Sequence, residues 1–299
     1  MDVSTGLLHK STECAGNATF RELQEFSVSF HPFTIGKEIR VEGMDTGWRR
    51  LPASLLEIPS GGEWDLWLDG QSRALTVRSG EAALIPAGLR HRLRCRCERG
   101  MDTRFLLFTF RWMSHLDLLP IAQIPILLPE YAGRRLKVPL DEMAEIWSGK
   151  SHSVSSVMRL NKLAFELLDI LMGYGLKKEL YPENYDMERV KKALDIISSD
   201  PAAEHSCCVL ARKCGLSPSR FNVVFKEAIG SAPKVYMRDM RLRRASAILL
   251  SSDMPVYLVA EACGFNSASY FSRFFARHIG MPPADFRAVM TVREPSIPD

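Results

Sequence analysis

"CGLSPSRFNVVFKEAIG" (residues 214–230) returns, altered but traceable, as "CGFNSASYFSRFFARHIG" (residues 263–280). Cys214 and Gly215 lie 49 positions before Cys263 and Gly264. Phe221, Phe225, Gly230 and Pro233 lie 50 before Phe271, Phe275, Gly280 and Pro283, so the copies differ by one inserted residue. In each copy a short helix, a tight turn and a second helix follow in order, which is the helix-turn-helix plan. Ser217 offers an N-cap with Pro218 at the first helical position, a favoured pairing. The i, i+4 phenylalanines predict one buried stripe on each second helix. Ser219, Arg220, Asn222 and Val223 in the first copy, and Ser269, Tyr270, Ser272 and Arg273 in the second, are left to face outward.

A face that is small and polar near a helix N-terminus suits entry into the major groove, where the helix dipole also favours phosphate. Two such units in one chain can address successive major grooves on one face of DNA, about 34 Å apart. Charge points the same way. From Arg212 to Arg244 nine Lys/Arg stand against only Glu227 and Asp239, and phosphate is the natural partner of such a stretch. Lys226, Arg241 and Arg277 are the expected phosphate contacts. The bland alternative, two packing units that never touch DNA, suits a lone copy better than a repeated one.

"PKVYMRDMRLRRASAILLSSDMPVYLVAEACGFNSASYFSRFFARHIGMPPADFR" (residues 233–287) resembles the signature of the AraC/XylS transcriptional regulators. The likeness runs through Pro233, Tyr236, Arg241, Leu242, Ala245, Leu249, Ala260, Gly264, Phe265, Tyr270, Phe271, Arg273, Phe275, Gly280, Pro283, Phe286 and Arg287. It implies promoter reading by both second helices, with Ser219, Asn222, Val223, Ser269 and Arg273 nearest the bases. Asn222 suits adenine, Arg273 guanine and Val223 a thymine methyl, although Arg220 and Arg273 serve equally as phosphate contacts. The resemblance also implies double-stranded promoter DNA and RNA polymerase as partners and a homodimer as the working form. The family's many regulators of carbohydrate use suggest a sugar-like effector.

Ahead of the repeat the patterning changes. Between residues 33 and 112, short apolar runs alternate with Gly61-Gly62, Asp69-Gly70 and Ser79-Gly80, the spacing of a sandwich or small barrel. In "LRHRLRCRC" the arginines at 90, 92, 94 and 96 share one parity, and His91, Leu93, Cys95 and Cys97 the other; a strand here turns His91 inward. "VSSVMRLNKLAFELLDILMGYG" has helical period and predicts an amphipathic helix ending near Gly173 or Gly175. The resulting expectation is a multidomain α+β chain: an arm over 1–32, a cupin-like effector-binding barrel over 33–115, and a helical dimerisation segment with linker over 116–182. An all-α DNA-binding domain with two helix-turn-helix units over 183–290 and a tail over 291–299 complete it.

The barrel expectation also rests on a resemblance. Gly80, five residues, Pro86-Ala87-Gly88, two residues and His91 resemble the second motif of the cupins, with Cys95 where that motif has asparagine. Glu63, six residues and Gly70 resemble the end of the first. The two histidines that should precede Glu63 are missing, leaving fewer N/O ligands than a catalytic metal needs. No metal, no cofactor and no enzymatic role are therefore expected. A pocket that binds an effector without transforming it fits better, with Trp48, Glu63, Trp64, Trp67 and His91 as candidate contacts. The alternatives are a cupin metalloenzyme with an accessory DNA-binding domain, and an effector-independent regulator whose barrel only dimerises. A methyl-accepting DNA-repair role lacks the cysteine cluster it would need.

The totals bound these readings. At 299 residues, 25% charged and 46% hydrophobic, the chain suits two soluble domains. It has no apolar run of membrane-spanning length and no leader-like start, so a cytoplasmic location is expected. Seven cysteines, an odd number, suit reduced, small apolar residues.

Overall fold

The computed structural model describes residues 27–97, 100–112, 116–149, 153–175, 185–203, 205–229 and 231–290. The tail and most of the arm and linker fall outside them. Two antiparallel sheets form the front of the chain. β1 (Val28–Arg40), β3 (Ser54–Ser60), β6 (Ala82–Ile85), β8 (Met101–Trp112) and β10 (Leu127–Leu128) make one sheet in the order β1-β8-β3-β6-β10, with β9 (Leu116–Asp117) beside β8. β2 (Arg49–Arg50), β4 (Glu63–Leu68), β5 (Leu75–Arg78) and β7 (Arg90–Cys95) make the other, in the order β2-β7-β4-β5. The first sheet begins at Val28, so residues 28–32 belong to β1 rather than to an arm: Val28 pairs with Trp112 and Phe30 with Phe110.

The larger sheet is buried on both faces. Phe105 and Leu107 of β8 turn toward the space between the sheets, whereas Leu106, Phe108 and Phe110 turn the other way. A strand covered on both sides reads as a continuous apolar run, which is why "FLLFTF" shows no alternation. Two helices cover that outer face: α2 (Glu130–Ser148) and α3 (Val154–Met172), placed after the short α1 (Leu118–Ala122). Gly133 lets α2 pack directly on the turn before β6, because a Cβ there would lie 2.0 Å from the carbonyl oxygen of Gly80.

The rest of the chain is helical: α4 (Tyr185–Ser199), α5 (Cys207–Lys213), α6 (Pro218–Ile229), α7 (Pro233–Ser251), α8 (Val256–Ala262), α9 (Ala268–Ile279) and α10 (Pro283–Met290). α7 belongs to two cores. Its N-terminal half gives Tyr236 and Met240 to a core with α4, α5 and α6. Its C-terminal half gives Leu242, Ala245 and Leu249 to a second, with α8, α9 and α10, that is continuous with the interior between the sheets. Among the described residues no helix is long and apolar enough to cross a membrane.

Candidate functional site

The repeat is reproduced bond for bond at its turns. Leu216 N donates to the Ala211 carbonyl at 2.9 Å, and Phe265 N to the Ala260 carbonyl at 2.9 Å; Gly215 and Gly264 both take positive φ, 66° and 75°. This is the left-handed end that glycine supplies without strain. The Ser217 and Ser267 hydroxyls then accept from Arg220 N and Tyr270 N, each at 3.3 Å, capping α6 and α9. The inserted residue is Asn266, taken up inside the second turn.

Phe221 and Phe225 are fully buried on α6, as are Phe271 and Phe275 on α9. The faces opposite them are open: Ser219, Arg220, Asn222, Val223 and Lys226 on α6, and Ser269, Tyr270, Arg273 and Arg277 on α9, are exposed, with Ser272 half-buried. Asn222 Nδ2 donates to the Pro218 carbonyl at 2.9 Å, so its amide is held along its own helix until another acceptor replaces that carbonyl.

The basic stretch divides in two. Arg212, Lys213, Arg220, Lys226 and Lys234 are exposed. Three arginines of α7 are engaged internally: Arg238 with Asp239 at 2.7 Å, Arg243 with Asp117 at 3.1 Å, and Arg241, which donates to the Ala203 carbonyl at 2.7 Å. Arg241 is therefore better described as a brace between the two helical cores than as an open phosphate contact. The Arg243–Asp117 pair joins α7 to β9, and burial pushes the Asp117 carboxyl above its ordinary range against the pull of Arg243.

The candidate effector contacts do not converge. Along β4 the parity is strict: Trp64, Leu66 and Leu68 face inward while Glu63, Asp65 and Trp67 face out, so Glu63 and Trp67 cannot share a pocket with Trp64 or His91. Glu63 instead lies 3.9 Å from Arg96. Trp48 is half-buried under the Arg90 guanidinium, 5.0 Å away, and its carbonyl lies against Gly280 at the end of α9. His91 does face inward and is fully buried. Its Nδ1 donates to the Leu89 carbonyl at 2.9 Å, leaving Nε2 to accept from Arg49 Nε at 3.3 Å. Burial, with the neighbouring Arg49 charge, pushes the His91 pKa down to about 3, so the ring is neutral. Three of the four arginines in the row are paired with nearby acids: Arg90 with Asp69 and Arg92 with Asp45 on β7, and Arg96, just past its end, with Asp65.

Sequence reasoning missed the polar residues inside the front half. Between the sheets a cavity of about 50 Å³ is lined by Arg40, Arg49, Glu57, Leu55, Leu93 and Phe105, among others, and is shared with Val289 and Met290 of α10. Arg40 holds Glu57 through two bonds of 3.0 and 2.8 Å. The available signal was an Arg and a Glu at inward-facing strand positions, where a strand pattern calls for apolar residues.

A protein-family model described as a helix-turn-helix domain matches residues 210–288. The Arabinose operon regulatory protein of Escherichia coli is 33% identical over 130 residues, 42% of this chain and 44% of that protein. The HTH-type transcriptional regulator GadX of Escherichia coli is 23% identical over 186 residues, 62% and 67% of the two chains. The chain spans less than half the length of the arabinose regulators it matches. Among solved structures, ToxT from Vibrio cholerae has the same fold over 88% of this chain and 100% of its own, with a TM-score of 0.57 and 12% identity.

Proposed function

We propose that this chain, whose C-terminal helices match a helix-turn-helix domain and resemble those of the AraC/XylS regulators, regulates transcription by binding promoter DNA with α6 and α9. The carrying observation is the matched pair of capped helices, each with its phenylalanine stripe buried and its N-terminal face open. Ser219, Asn222, Val223, Ser269, Tyr270, Ser272 and Arg273 stand toward base edges in this reading, with Arg220, Lys226 and Arg277 on phosphates. The sheet domain holds a small-molecule effector that it does not transform. Effector binding changes how the front half presents α7 to α10, and differential affinity for two arrangements is what such coupling requires.

The working form is a homodimer joined through α3. Val154, Val157, Met158 and Phe165 are exposed on that helix, an apolar face of the kind subunit contacts use. RNA polymerase is the further partner.

The test is binding of the purified protein to DNA from its own upstream region across a salt series, comparing wild type with Arg273→Ala and Asn222→Ala. Each substitution should weaken selective binding by about 10- to 100-fold, the worth of one base contact. Selective binding that neither substitution weakens, or no sequence preference at all, would refute the reading.

A further inference from the structure

Cys95 closes β7 and Cys97 follows two residues later. They share the inward parity of His91 and Leu93, and both are buried in the interior between the sheets, 4% and 6% exposed. Their Sγ atoms are 2.6 Å apart. Nonbonded heavy atoms settle about 3.5–4.0 Å apart and a disulfide is about 2.05 Å long, so the two sulfurs stand nearer to a bond than to a packing contact. Residues i and i+2 of a strand are about 6.6 Å apart, at the upper end of the span a disulfide bridges. Because Cys97 lies beyond the end of β7, the small shortening needed does not have to break the ladder. Cys95 is the fixed partner: it stands opposite Trp64, and its amide N donates to the Met44 carbonyl at 2.9 Å. The Cys97 thiol donates to the Arg40 carbonyl at 3.3 Å, a bond that its oxidation would remove.

We infer that Cys95 and Cys97 form a reversible dithiol sensor of a small two-electron oxidant of the peroxide class, and that closing their bond alters the DNA-binding half through α10. The second clause rests on the regulatory reading above; the first does not. One sulfur, as its thiolate, attacks the peroxide O–O bond, releases hydroxide and becomes a sulfenic acid, and the second sulfur then displaces that hydroxyl as water. Two thiols lose two electrons and two protons, and one peroxide becomes two waters. Burial sets the selectivity. It pushes the Cys95 thiol up to about 11, so Cys95 rests protonated at neutral pH, and it keeps a bulky disulfide such as oxidised glutathione from bringing its own sulfur into line. Cys95 also lines the cavity that Val289 and Met290 of α10 share. Drawing Cys97 onto Cys95 frees the Arg40 carbonyl, beside the Arg40–Met101 pair of β1 and β8, and shifts that wall. Arg287 ties α10 to α7 by donating to the Leu249 and Met254 carbonyls at 2.9 and 2.6 Å. The shift thereby reaches the elements that carry α9.

The full chain, reduced, should be treated with hydrogen peroxide and in parallel with glutathione disulfide, then alkylated and mapped by mass spectrometry. Peroxide should join Cys95 to Cys97 before any other disulfide forms, at least about tenfold faster than glutathione disulfide does, and dithiothreitol should reverse it. Affinity for the upstream DNA should differ by about 5-fold or more between the reduced and disulfide forms. Cys97→Ser, whose hydroxyl can keep the donation to Arg40, should bind DNA as the reduced protein does and ignore peroxide. The two forms of the wild type can be compared without any variant, so the test stands even if Cys97→Ser fails to fold. A first disulfide elsewhere, oxidation that never joins Cys95 to Cys97, equal rates with the two oxidants, or equal DNA affinity of the two forms overturns the proposal. Reduced protein that lacks selective DNA binding sinks the regulatory reading instead, and the thiol map then decides the sensor by itself.

Discussion

Replacing Gly264 with alanine should damage the protein far more than replacing Gly215, although the two occupy the same place in the two helix pairs. Both have positive φ, 75° and 66°, where an alanine costs about 1–2 kcal/mol, partly offset by about 0.4–1 kcal/mol from the stiffer unfolded chain. There the likeness ends. A Cβ on Gly215 meets nothing within 4 Å, whereas one on Gly264 lies 2.1 Å from the Ala202 carbonyl oxygen. That oxygen cannot swing aside. Its turn is pinned by Asp200, whose side chain accepts from Ala202 N and Ala203 N at 3.2 Å, and by Arg241 on the Ala203 carbonyl. Relieving the overlap means shifting backbone, for about 1–3 kcal/mol more.

Gly215→Ala should therefore cost about 1 kcal/mol and Gly264→Ala about 2–4 kcal/mol. With a urea dependence of about 1–3 kcal/mol per molar, the second midpoint should fall by about 1 M more than the first. All five tryptophans lie between Trp48 and Trp147, so fluorescence follows the sheet domain while circular dichroism at 222 nm is dominated by the helices. The dichroism midpoint should move more than the fluorescence midpoint. Ala202 lies in the turn that follows α4 and Gly264 in the second helix pair, so Gly264→Ala should also loosen the spacing of α6 and α9 and weaken DNA binding more. Equal midpoint shifts for the two variants would refute this packing argument.

Two further outcomes follow from the same structure. Met158→Glu, on the exposed apolar face of α3, should shift sedimentation from dimer toward monomer; an unchanged dimer would place the subunit contact elsewhere. The depressed His91 pKa makes the folded state bind fewer protons than the unfolded one between about pH 3 and 6.5, so stability is full above that window and falls on acidification through it. The slope should approach about 1.4 kcal/mol per pH unit, read from fluorescence-monitored urea midpoints between pH 6.5 and 5. His91→Gln should flatten it, and an unchanged slope would show that His91 is not the titrating group.

The helix pairs were legible because their signals are local: glycine at the turn, serine at the cap, phenylalanine four residues apart. The alternation on β7 was legible for the same reason, one face wet and one dry, and the structure places Arg90 outside and His91 inside. The helix Val154–Met172 likewise follows its apolar period. α2 lies inside the segment expected to be helical but was not singled out, because Pro139 interrupts its pattern, though Ala132, Leu136, Leu140 and Met143 mark its buried stripe. The internal partners of Arg238, Arg241 and Arg243 were not fully legible, because Ala203 and Asp117 reach α7 only through tertiary packing. The barrel contacts failed for a related reason. A motif match picks out Glu63 and His91 by position, but the pleat sends them to opposite faces, while the buried charges Arg40, Arg49 and Glu57 break the apolar pattern and belong to no motif.

The most direct test of the central claim is a hydroxyl-radical footprint of the full chain on its upstream DNA. Two protected windows about 10 base pairs apart on one face for each bound protomer, with Arg273→Ala eroding only the window read by α9, are what the two-helix account predicts. A single window per protomer, or uniform protection indifferent to sequence, would contradict it.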